Sequence, residues 1–478
     1  MFKIAPLLSL ITVFLIGAYP LRAQSAIEDL VRSAPEQTAV IPAPAELKSG
    51  HQHSPLARQD WRTAVTLYSA KNFTPTPARR INLEGSSAVM LQGFHWYADN
   101  YWLDLPKGWW GKMAEKAPEV GAAGFDMIWF PPVSRGSYYP TEWYDLDSQW
   151  GKKETLIEAV RAMKAHGVSP VADIILNHRN GTLDWADFTS PDWPTTVIVK
   201  DDEWPGMKGP NYDEGQGERG CRDLDHNSAL VREDAKVFLR WLRYTIGFDG
   251  WRYDMVKGFQ PHRIKDYNRA SAPGFSVGEY YDTNRQLLVN WADGTADGDK
   301  SEASTVFDFT TRYSLVAAVE SERYDMLNDH GRPSGSIGWW PGKSVTFVEN
   351  HDTSPRDPKF LQNASREYRV QRQMGYAYIL THPGTPSVYW PHFFDWGSEY
   401  RAKLQGLINL RKSAGITAVS PVQILAAYNE LYAAMITGQN KYVVLKMGKN
   451  WGWQPGHDWR LEASGERWAV WTQPITRP

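Results

Sequence analysis

An arginine and an aspartate separated by one residue lie in the stretch GFDGWRYDMVKG at 247–258. In an extended strand alternate side chains point to the same face, so Arg252 and Asp254 face the same way. Lys257 follows in the turn. An aspartate beside a guanidinium stays ionised near neutral pH, which suits a nucleophile or a stabiliser of positive charge. A buried Arg–Asp pair with a purely structural role is the alternative at this point.

Polar residues also follow three other apolar segments. One segment ends in DIILNH at 173–178, another in Gly278-Glu279, and a third in ENHD at 349–352. Together with Asp254, acids lie at the ends of three segments and histidines at the ends of two. This pattern is hard to explain by turn formers or helix caps. If the segments are parallel strands of a barrel, their carboxyl ends meet on one face, where barrel enzymes carry their catalytic groups.

The segments that must position these residues alternate between strand-like and helix-like patterns. Helical spacing of apolar residues is clearest at 109–120 and 368–380. Eight apolar runs have the character of buried strands: 88–92, 125–130, 168–176, the run that ends at Asp254, 275–278, 305–309, 344–348 and 386–389. The count and the alternation predict an α/β fold, a (β/α)8 TIM barrel rather than a doubly wound sheet.

Two departures from this alternation indicate further parts of the chain. The stretch 179–222 is rich in Gly, Pro, Asp and Trp and is too long for an ordinary loop, so it is a lid or a small inserted domain. After about Gly415 short β-like runs predict a C-terminal antiparallel domain. The predicted parts are a signal peptide 1–23, an N-terminal extension 24–86 that is ordered in part at best, the barrel in two pieces 87–178 and 223–414, the inserted domain 179–222 and the C-terminal β domain 415–478.

The first residues have the pattern of a secretory signal peptide. Lys3 precedes an apolar run at 4–18, and the small residue Ala23 precedes a plausible cleavage site. An uncleaved anchor is the alternative, but the run is short for a membrane span. Cleavage removes two cations and no acid, so the net charge goes from -2 to -4, which gives no reason to expect nucleic acid or an acidic membrane surface as a partner. We therefore expect a secreted or periplasmic protein, without a membrane segment after signal removal.

Three acids at strand ends suit glycoside hydrolysis by two carboxylates. Asp254, paired with Arg252, suits the ionised role. Glu279 follows an apolar strand and has no basic neighbour in sequence, which favours a raised pKa and a general acid/base role. Asp352 adds a second negative charge that can orient substrate hydroxyls. His178 can donate a hydrogen bond to a sugar, although a structural hydrogen bond explains it equally well.

With these residues in place, the chain resembles the α-amylase family of glycoside hydrolases, above all the plant-type enzymes and their bacterial relatives. The resemblance covers roughly residues 88–472. The motifs that carry it, in order, are LQGFHW at 91–96 (with His95), YDLD at 144–147, DIILNH at 173–178, GFDGWRYDMVKG at 247–258, GE at 278–279, FVENHD at 347–352 and YAYILTHPG at 376–384.

The resemblance implies a role for each matching residue. Asp254 matches the nucleophile, Glu279 the general acid/base and Asp352 the transition-state stabiliser. The residues that match positions around the substrate are Tyr138, His178, Arg252, His351, His95 and, on the leaving-group side, Lys257. The family reaction retains the anomeric configuration through a covalent glycosyl-enzyme.

The resemblance also implies a structural Ca²⁺ ion that ties the inserted domain to the barrel. Oxygen ligands suit this cation. The matching positions are Asn177, Asp213 and Asp223, together with the backbone carbonyls of Gln216 and Gly258. Solvated turns are the alternative explanation of this Asp-rich loop.

The expected substrate is an α-glucan such as starch, glycogen or malto-oligosaccharides, cleaved internally at α-1,4 bonds by a monomeric enzyme. YWPH at 389–392 and DWG at 395–397 resemble exo-acting, malto-oligosaccharide-forming bacterial amylases, which keeps that reading open. The alternative hypothesis that is not an enzyme is a catalytically inactive glucan-binding protein. Trp339 and Trp340 match a tryptophan pair that some plant enzymes use to bind starch granules, with ordinary packing as the alternative.

Overall fold

Apolar strands of three to six residues build the centre of the molecule. The computed structural model describes residues 54–71, 73–76, 80–99, 105–182, 185–296, 298–357 and 362–475. Its barrel strands are β1 Met90–Gln92, β2 Met127–Trp129, β3 Ser169–Ile174, β4 Gly250–Tyr253, β5 Phe275–Gly278, β6 Thr305–Phe307, β7 Ser344–Phe347 and β8 Thr385–Tyr389. Nearly every residue in them is buried, as expected of parallel strands covered on both faces.

The eight strands close into a parallel barrel in which each strand pairs with its neighbours in sequence and β1 pairs with β8. The prediction of a TIM barrel is therefore confirmed. The register places Asp173 of β3 beside Arg252 of β4. It also places Tyr253 beside Gly278, so the residues that follow β4 and β5 emerge together at the carboxyl end of the barrel.

Helices lie between most of these strands. Their bounds are α1 Pro55–Tyr68, α2 Gly108–Ala122, α3 Lys153–Ala165, α4 Ala229–Trp241, α5 Pro261–Ser271, α6 Arg285–Gly294, α7 Phe309–Ser321, α8 Arg366–Thr381 and α9 Ser398–Ala414. α4 shows how such a helix packs: Val231, Ala235 and Phe238 recur at helical spacing and are buried.

Helix α1 precedes the barrel and packs against α4. Ser54 caps its first turn and Pro55 occupies the first helical position, both common signals for a helix start. Tyr68 at its end hydrogen-bonds Thr245 at 2.8 Å between hydroxyl oxygens, and Arg240 donates to the Tyr68 carbonyl at 2.7 Å. The predicted signal peptide 1–23 lies outside the described residues, and the predicted domain boundaries stay predictions.

The segment 179–222 leaves and returns through a short antiparallel pair, His178–Arg179 with Arg222–Asp223. Its entry is fixed by Arg179, which is fully buried against the rings of Trp143 and Trp193 and donates hydrogen bonds to backbone carbonyls. The returning strand brings Asp223 next to the carboxyl end of β3. Whether this segment is a domain in its own right stays a prediction.

The C-terminal part of the chain forms a five-stranded antiparallel sheet, as predicted. Its strands are β9 Val422–Tyr428, β10 Leu431–Thr437, β11 Lys441–Met447, β12 Arg460–Gly465 and β13 Trp468–Pro474, in the spatial order β9-β10-β11-β13-β12. The two edge strands β9 and β12 contain no buried residue, whereas β10 and β11 are largely buried. In the part of the chain that the structure describes, no helix is long and apolar enough to span a membrane.

Candidate active site

Arg252 is the hub of the carboxyl end of the barrel. Its buried guanidinium contacts three carboxylates: Nη1 lies 2.7 Å from Asp173 Oδ1 and 2.5 Å from Asp254 Oδ1, and Nη2 lies 2.9 Å from Glu279 Oε1. The Trp129 ring lies under the guanidinium, with its centroid 4.8 Å from Cζ. One cation therefore holds acids from the ends of three neighbouring strands in a single cluster.

The Glu279 carboxyl group is placed to keep its proton. Burial raises its pKa well above the ordinary value; Arg252 opposes this rise, and the negative charges of Asp254 and Asp352 add to it. The backbone N–H of Met255 lies 3.3 Å from Oε2. A carboxylic acid that stays protonated near neutral pH, with about a tenth of its side chain exposed, can donate a proton to a bound substrate.

Asp352 adjoins the Arg252 cluster through a hydrogen bond that it shares with Glu279. Burial raises the pKa of its carboxyl group, and Arg356 and then Arg252 oppose the rise. Oδ1 lies 3.0 Å from Arg356 Nη2, and Oδ2 lies 3.2 Å from His351 Nε2. Because of the shared hydrogen bond, the protonation of Asp352 is linked to that of Glu279.

His351 is held as a neutral hydrogen-bond donor. Burial lowers its pKa well below the ordinary value, and the charge of Arg252 adds to this effect. The Gln92 amide nitrogen lies 3.0 Å from Nδ1, so the arrangement suits a proton on Nε2, which faces Asp352. The Tyr138 ring stacks on the imidazole with centroids 5.1 Å apart and planes at 14°.

His178 hydrogen-bonds the Tyr138 backbone and the Asn177 side chain rather than the acids of the cluster. Its Nε2 lies 2.9 Å from the Tyr138 carbonyl oxygen, and the Asn177 amide lies 3.3 Å from its Nδ1. The Tyr138 hydroxyl in turn donates to Asp173 at 2.9 Å. His178 thus positions the loop that carries Tyr138 at the cluster.

The comparisons with known proteins decide the family. The sequence model of the alpha-amylase C-terminal beta-sheet domain matches residues 413–472. Probable alpha-amylase 2 of Arabidopsis thaliana is 34% identical over 409 residues, which are 80% of this chain and 93% of the relative. The chain belongs to the α-amylase family of glycoside hydrolases.

Other members of the family extend the likeness to bacteria. A glucan 1,4-alpha-maltotetraohydrolase of Stutzerimonas stutzeri is 29% identical over 406 residues, 79% of this chain and 70% of the relative. The solved α-amylase of Geobacillus thermoleovorans, complexed with acarbose, has the same fold, with a TM-score of 0.62, 13% identity and coverage of 83% of this chain and all of that one. The chain spans 48% of a longer relative, alpha-amylase 3, chloroplastic, of Arabidopsis thaliana, at 33% identity over 453 residues, 86% of this chain.

Two other predicted substrate residues, Lys257 and His95, have their contacts outside the Arg252 cluster. The Lys257 ammonium lies 2.7 Å from Asp282 Oδ2 and 5.0 Å from the centroid of the Tyr280 ring. His95 accepts a hydrogen bond from the Tyr97 backbone N–H at 3.2 Å, and burial lowers its pKa to about 4.

Trp339 and Trp340 lie in the segment that leads into β7, and their nearest cationic partners are outside the Arg252 cluster. The Arg285 guanidinium lies 3.9 Å from the centroid of the Trp339 ring, which is 42% exposed. Lys300 lies 5.5 Å from the Trp340 ring, which packs in part against the core. Neither ring has a cation–π contact with Arg252, and Trp339 is the more accessible of the two.

The predicted calcium ligands converge beside the base of the 179–222 segment. Asn177 Nδ2 lies 3.4 Å from Asp223 Oδ1. Gly258 approaches Asn177 so closely that an added Cβ would lie 1.6 Å from its Oδ1, so only glycine fits there. Gly217 lies in the same way against the carboxylates of Asp223 and Asp213. The side chains of three predicted ligands and the Gly258 backbone are therefore brought together.

The donor atoms in this region suit a hard cation. Asp223 Oδ2 is buried and has no hydrogen-bond partner among the described residues. Burial raises the pKa of Asp223 to about 8, and the negative charge of Asp213 adds to the rise, so a nearby cation would stabilise the ionised form. Gln216 is placed by a hydrogen bond from its N–H to the Lys257 carbonyl at 3.0 Å. The all-oxygen donor set fits Ca²⁺.

Sequence reasoning missed several residues of both sites. Asp202 and Glu203 lie close enough to Asp223 for their carboxylate oxygens to share a cation. Asp173 completes the Arg252 cluster, and the signal for it was an acid inside an apolar strand, which has to be paired when buried. Arg356 follows the FVENHD motif without belonging to it, and the sequence gives no signal for its contact with Asp352.

Glu349 illustrates an acid at a strand end that has another task. It is buried, its Oε1 lies 2.6 Å from Arg372 Nε, and it accepts a hydrogen bond from the Tyr368 hydroxyl. Although burial opposes ionisation, the Arg372 charge and the neighbouring His392 lower its pKa to about 2. Glu349 is therefore a structural anion that ties β7 to α8.

Proposed function

We propose that the protein is an exported α-amylase that cleaves internal α-1,4-glucosidic bonds of starch, glycogen and malto-oligosaccharides with retention of configuration. The observation that carries the proposal is the single guanidinium of Arg252, which contacts both Asp254 and Glu279. Two carboxyl groups that contact the same guanidinium lie close together, which leaves little space for a water molecule between them and the sugar. A short separation between the two carboxyl groups is typical of retaining glycoside hydrolases.

In the first step the Glu279 carboxyl group donates its proton to the glycosidic oxygen, while Asp254 Oδ attacks the anomeric carbon. The bond between the anomeric carbon and the leaving sugar breaks, and a covalent glycosyl ester of Asp254 forms. Asp352, which adjoins Glu279, hydrogen-bonds the sugar hydroxyls and stabilises the positive charge that develops on the ring.

In the second step the Glu279 carboxylate takes a proton from a water molecule, whose oxygen attacks the anomeric carbon. The ester bond to Asp254 breaks, and the α-configured product leaves. Tyr138, stacked on His351, offers an aromatic face to the sugar, and His351 is a neutral donor for one of its hydroxyls.

We propose Ca²⁺ as a structural cofactor, held by Asn177, Asp213 and Asp223 with backbone carbonyls of Gln216 and Gly258. The buried, unpartnered Asp223 Oδ2 and the close approach of Gly258 to Asn177 support this set. Such an ion would fasten the 179–222 segment to the carboxyl end of β3 and take no part in bond cleavage.

The exo-acting, malto-oligosaccharide-forming reading has its support in the likeness to the Stutzerimonas stutzeri maltotetraohydrolase. Chromatography of the earliest products from soluble starch separates the two. A spread of oligosaccharide lengths supports internal cleavage, whereas one dominant short product supports the exo-acting reading.

The same experiment with Glu279→Gln tests the catalytic assignment. The variant is expected to yield no products at enzyme concentrations that degrade starch rapidly with the wild type. If the wild type also yields none while it binds starch, the glucan-binding reading replaces the enzyme reading.

A further inference from the structure

Arg356 reaches the active site from outside the motifs that define it. Its Nη2 lies 3.0 Å from Oδ1 of Asp352, four residues earlier in the sequence, and its side chain is 38% exposed. Its guanidinium carbon also lies 4.7 Å from the centroid of the Trp96 ring. A single cation therefore contacts both a predicted catalytic acid and an aromatic residue at the edge of the cluster.

The charge balance of the cluster shows why a second cation is needed. Arg252 is already within 2.9 Å of three carboxylates, those of Asp173, Asp254 and Glu279. Asp352 is a fourth acid, and its burial disfavours ionisation. Arg356 is the cation in direct contact with it among the described residues.

The other groups that face Asp352 do not replace this charge. His351 is neutral because burial and the charge of Arg252 lower its pKa. Glu279 shares a hydrogen bond with Asp352 and adds no positive charge. Tyr281 feels the charge of Asp352 but is an uncharged phenol whose pKa is raised by burial. Arg252 acts on Asp352 only at longer range, after Arg356 in its effect on the pKa.

Trp96 connects the same guanidinium to the sugar-binding aromatic face. Its ring lies 5.3 Å from the Tyr138 ring and 5.2 Å from the His351 ring, centroid to centroid. Arg356 packs on this tryptophan by a cation–π contact. A planar guanidinium suits such a stacked position better than an ammonium does.

We infer that Arg356 is a positioning residue of this active site, which keeps Asp352 ionised and oriented and braces Trp96 against Tyr138 and His351. The inference rests on the proposed function, since it assigns to Asp352 the stabilising role described above. Arg356 acts through Asp352 and Trp96 and takes no part in bond making or breaking.

The positive charge of Arg356 next to Asp352 affects how activity depends on pH. Arg356 lowers the pKa of Asp352, so its removal raises that pKa. In the variant, Asp352 therefore loses its proton at a higher pH than in the wild type. The acid limb of kcat/KM, on which activity rises as Asp352 loses its proton, therefore moves to higher pH.

The test compares Arg356→Gln, Arg356→Lys and wild type in pH profiles of kcat/KM on a soluble chromogenic malto-oligosaccharide. Arg356→Gln is expected to move the acid limb to higher pH and to lower kcat about 10- to 100-fold, the scale of a misplaced catalytic group. Arg356→Lys is expected to restore the acid limb, because it keeps the charge, with a higher KM because it loses the planar stack on Trp96.

The matched control is Arg366→Gln, which removes the same charge at a surface arginine paired with Glu466 at 2.7 Å. Its profile is expected to overlie that of the wild type. A folded fraction that is the same at every pH leaves the position of a limb unchanged. Circular dichroism of each variant over the same pH range excludes acid unfolding as the cause of a shift.

An acid limb that stays in place in Arg356→Gln, or one that Arg356→Lys fails to restore, overturns the inference. These results differ from a failure of the proposed function, in which the wild type gives no turnover or Glu279→Gln keeps it.

Discussion

Two groups of carboxylates lie near the carboxyl end of the barrel, and they differ in how their charge is balanced. Around Arg252 three acids share a cation that belongs to the chain. In the group around Asp223, Asp202 is paired with Arg222 at 3.0 Å and Glu203 is exposed, but Asp223 Oδ2 is buried and has no hydrogen-bond partner among the described residues. The first group is complete within the protein and suits proton transfer, whereas the second has the character of a site for an added cation.

The largest expected effect separates the two groups by function. Asp254→Asn should lower kcat on soluble starch by more than about 10³-fold, because it removes the proposed nucleophile. Asp223→Asn, the matched change in the other group, should leave kcat within about threefold of the wild type at temperatures where the variant is folded. Equal losses in both variants would remove the functional distinction between the groups.

The next effect concerns stability. Arg252→Met should lower the free energy of unfolding by about 3–5 kcal/mol, since it leaves buried acids without their cation. In the wild type, burial already raises the pKa of Asp173 to about 7 and that of Glu279 well above its ordinary value, against the opposing charge of Arg252. Without that charge these two pKa values rise further, so above about pH 7 the folded variant binds more protons than the folded wild type. The deficit relative to the wild type should therefore grow as pH rises through about 7 and above, as measured by denaturant unfolding.

Arg411→Met is the matched control for this prediction. Arg411 is equally buried, but it donates to the backbone carbonyls of His382 and Gly384 rather than to acids. Its replacement should destabilise the protein without a comparable pH dependence. A pH-independent deficit in Arg252→Met would contradict the charge balance described here.

A smaller effect is expected when the second group loses its cation. Removal of Ca²⁺ by a chelator should lower the free energy of unfolding by about 2.7 kcal/mol if the free ion was at 100 times its dissociation constant. Thermal melting with and without chelator measures this effect. Asp223→Asn should melt at the same temperature in both conditions, and an unchanged melting temperature of the wild type would count against the metal site.

The smallest effect lies outside both groups, on the surface. Replacement of Trp339 and Trp340 by Ala should weaken adsorption to starch granules about tenfold, while turnover of short soluble substrates stays as in the wild type. Trp451→Ala is the comparison, since Trp451 is 69% exposed but lies in the C-terminal part of the chain. Adsorption that is equal in all three proteins would exclude the tryptophan pair as a granule site.

The barrel could be predicted from the sequence because its strands are apolar runs bounded by turn residues. Runs such as 168–176 and 275–278 carry that signal by themselves. The edge strands β9 and β12 of the C-terminal sheet escaped prediction because neither has the pattern of a buried strand. No residue of β9 (VQILAAY) is buried despite its short apolar run, and β12 (RLEASG) is mostly polar. Helix α1 escaped for a similar reason, since its buried residues are mostly alanines among polar neighbours.

The predicted catalytic residues lie together because each follows a barrel strand. A residue that follows an apolar strand can be recognised from the sequence alone. Contacts between distant loops carry no such signal. The position of Arg356 against Trp96 joins residues 260 positions apart, and only the fold brings them together. Asp202 joins Asp223 in the same way, through the return of the 179–222 segment to the barrel.

The most direct test of the central claim is to trap the glycosyl-enzyme. Glu279→Gln is mixed with an α-maltosyl fluoride, whose leaving group needs no proton donor, and the protein is digested for mass spectrometry. We expect a maltosyl adduct on the peptide that contains Asp254, because the ester forms but its hydrolysis lacks a general base. An adduct on Asp352, or inverted products with no adduct at all, would contradict it.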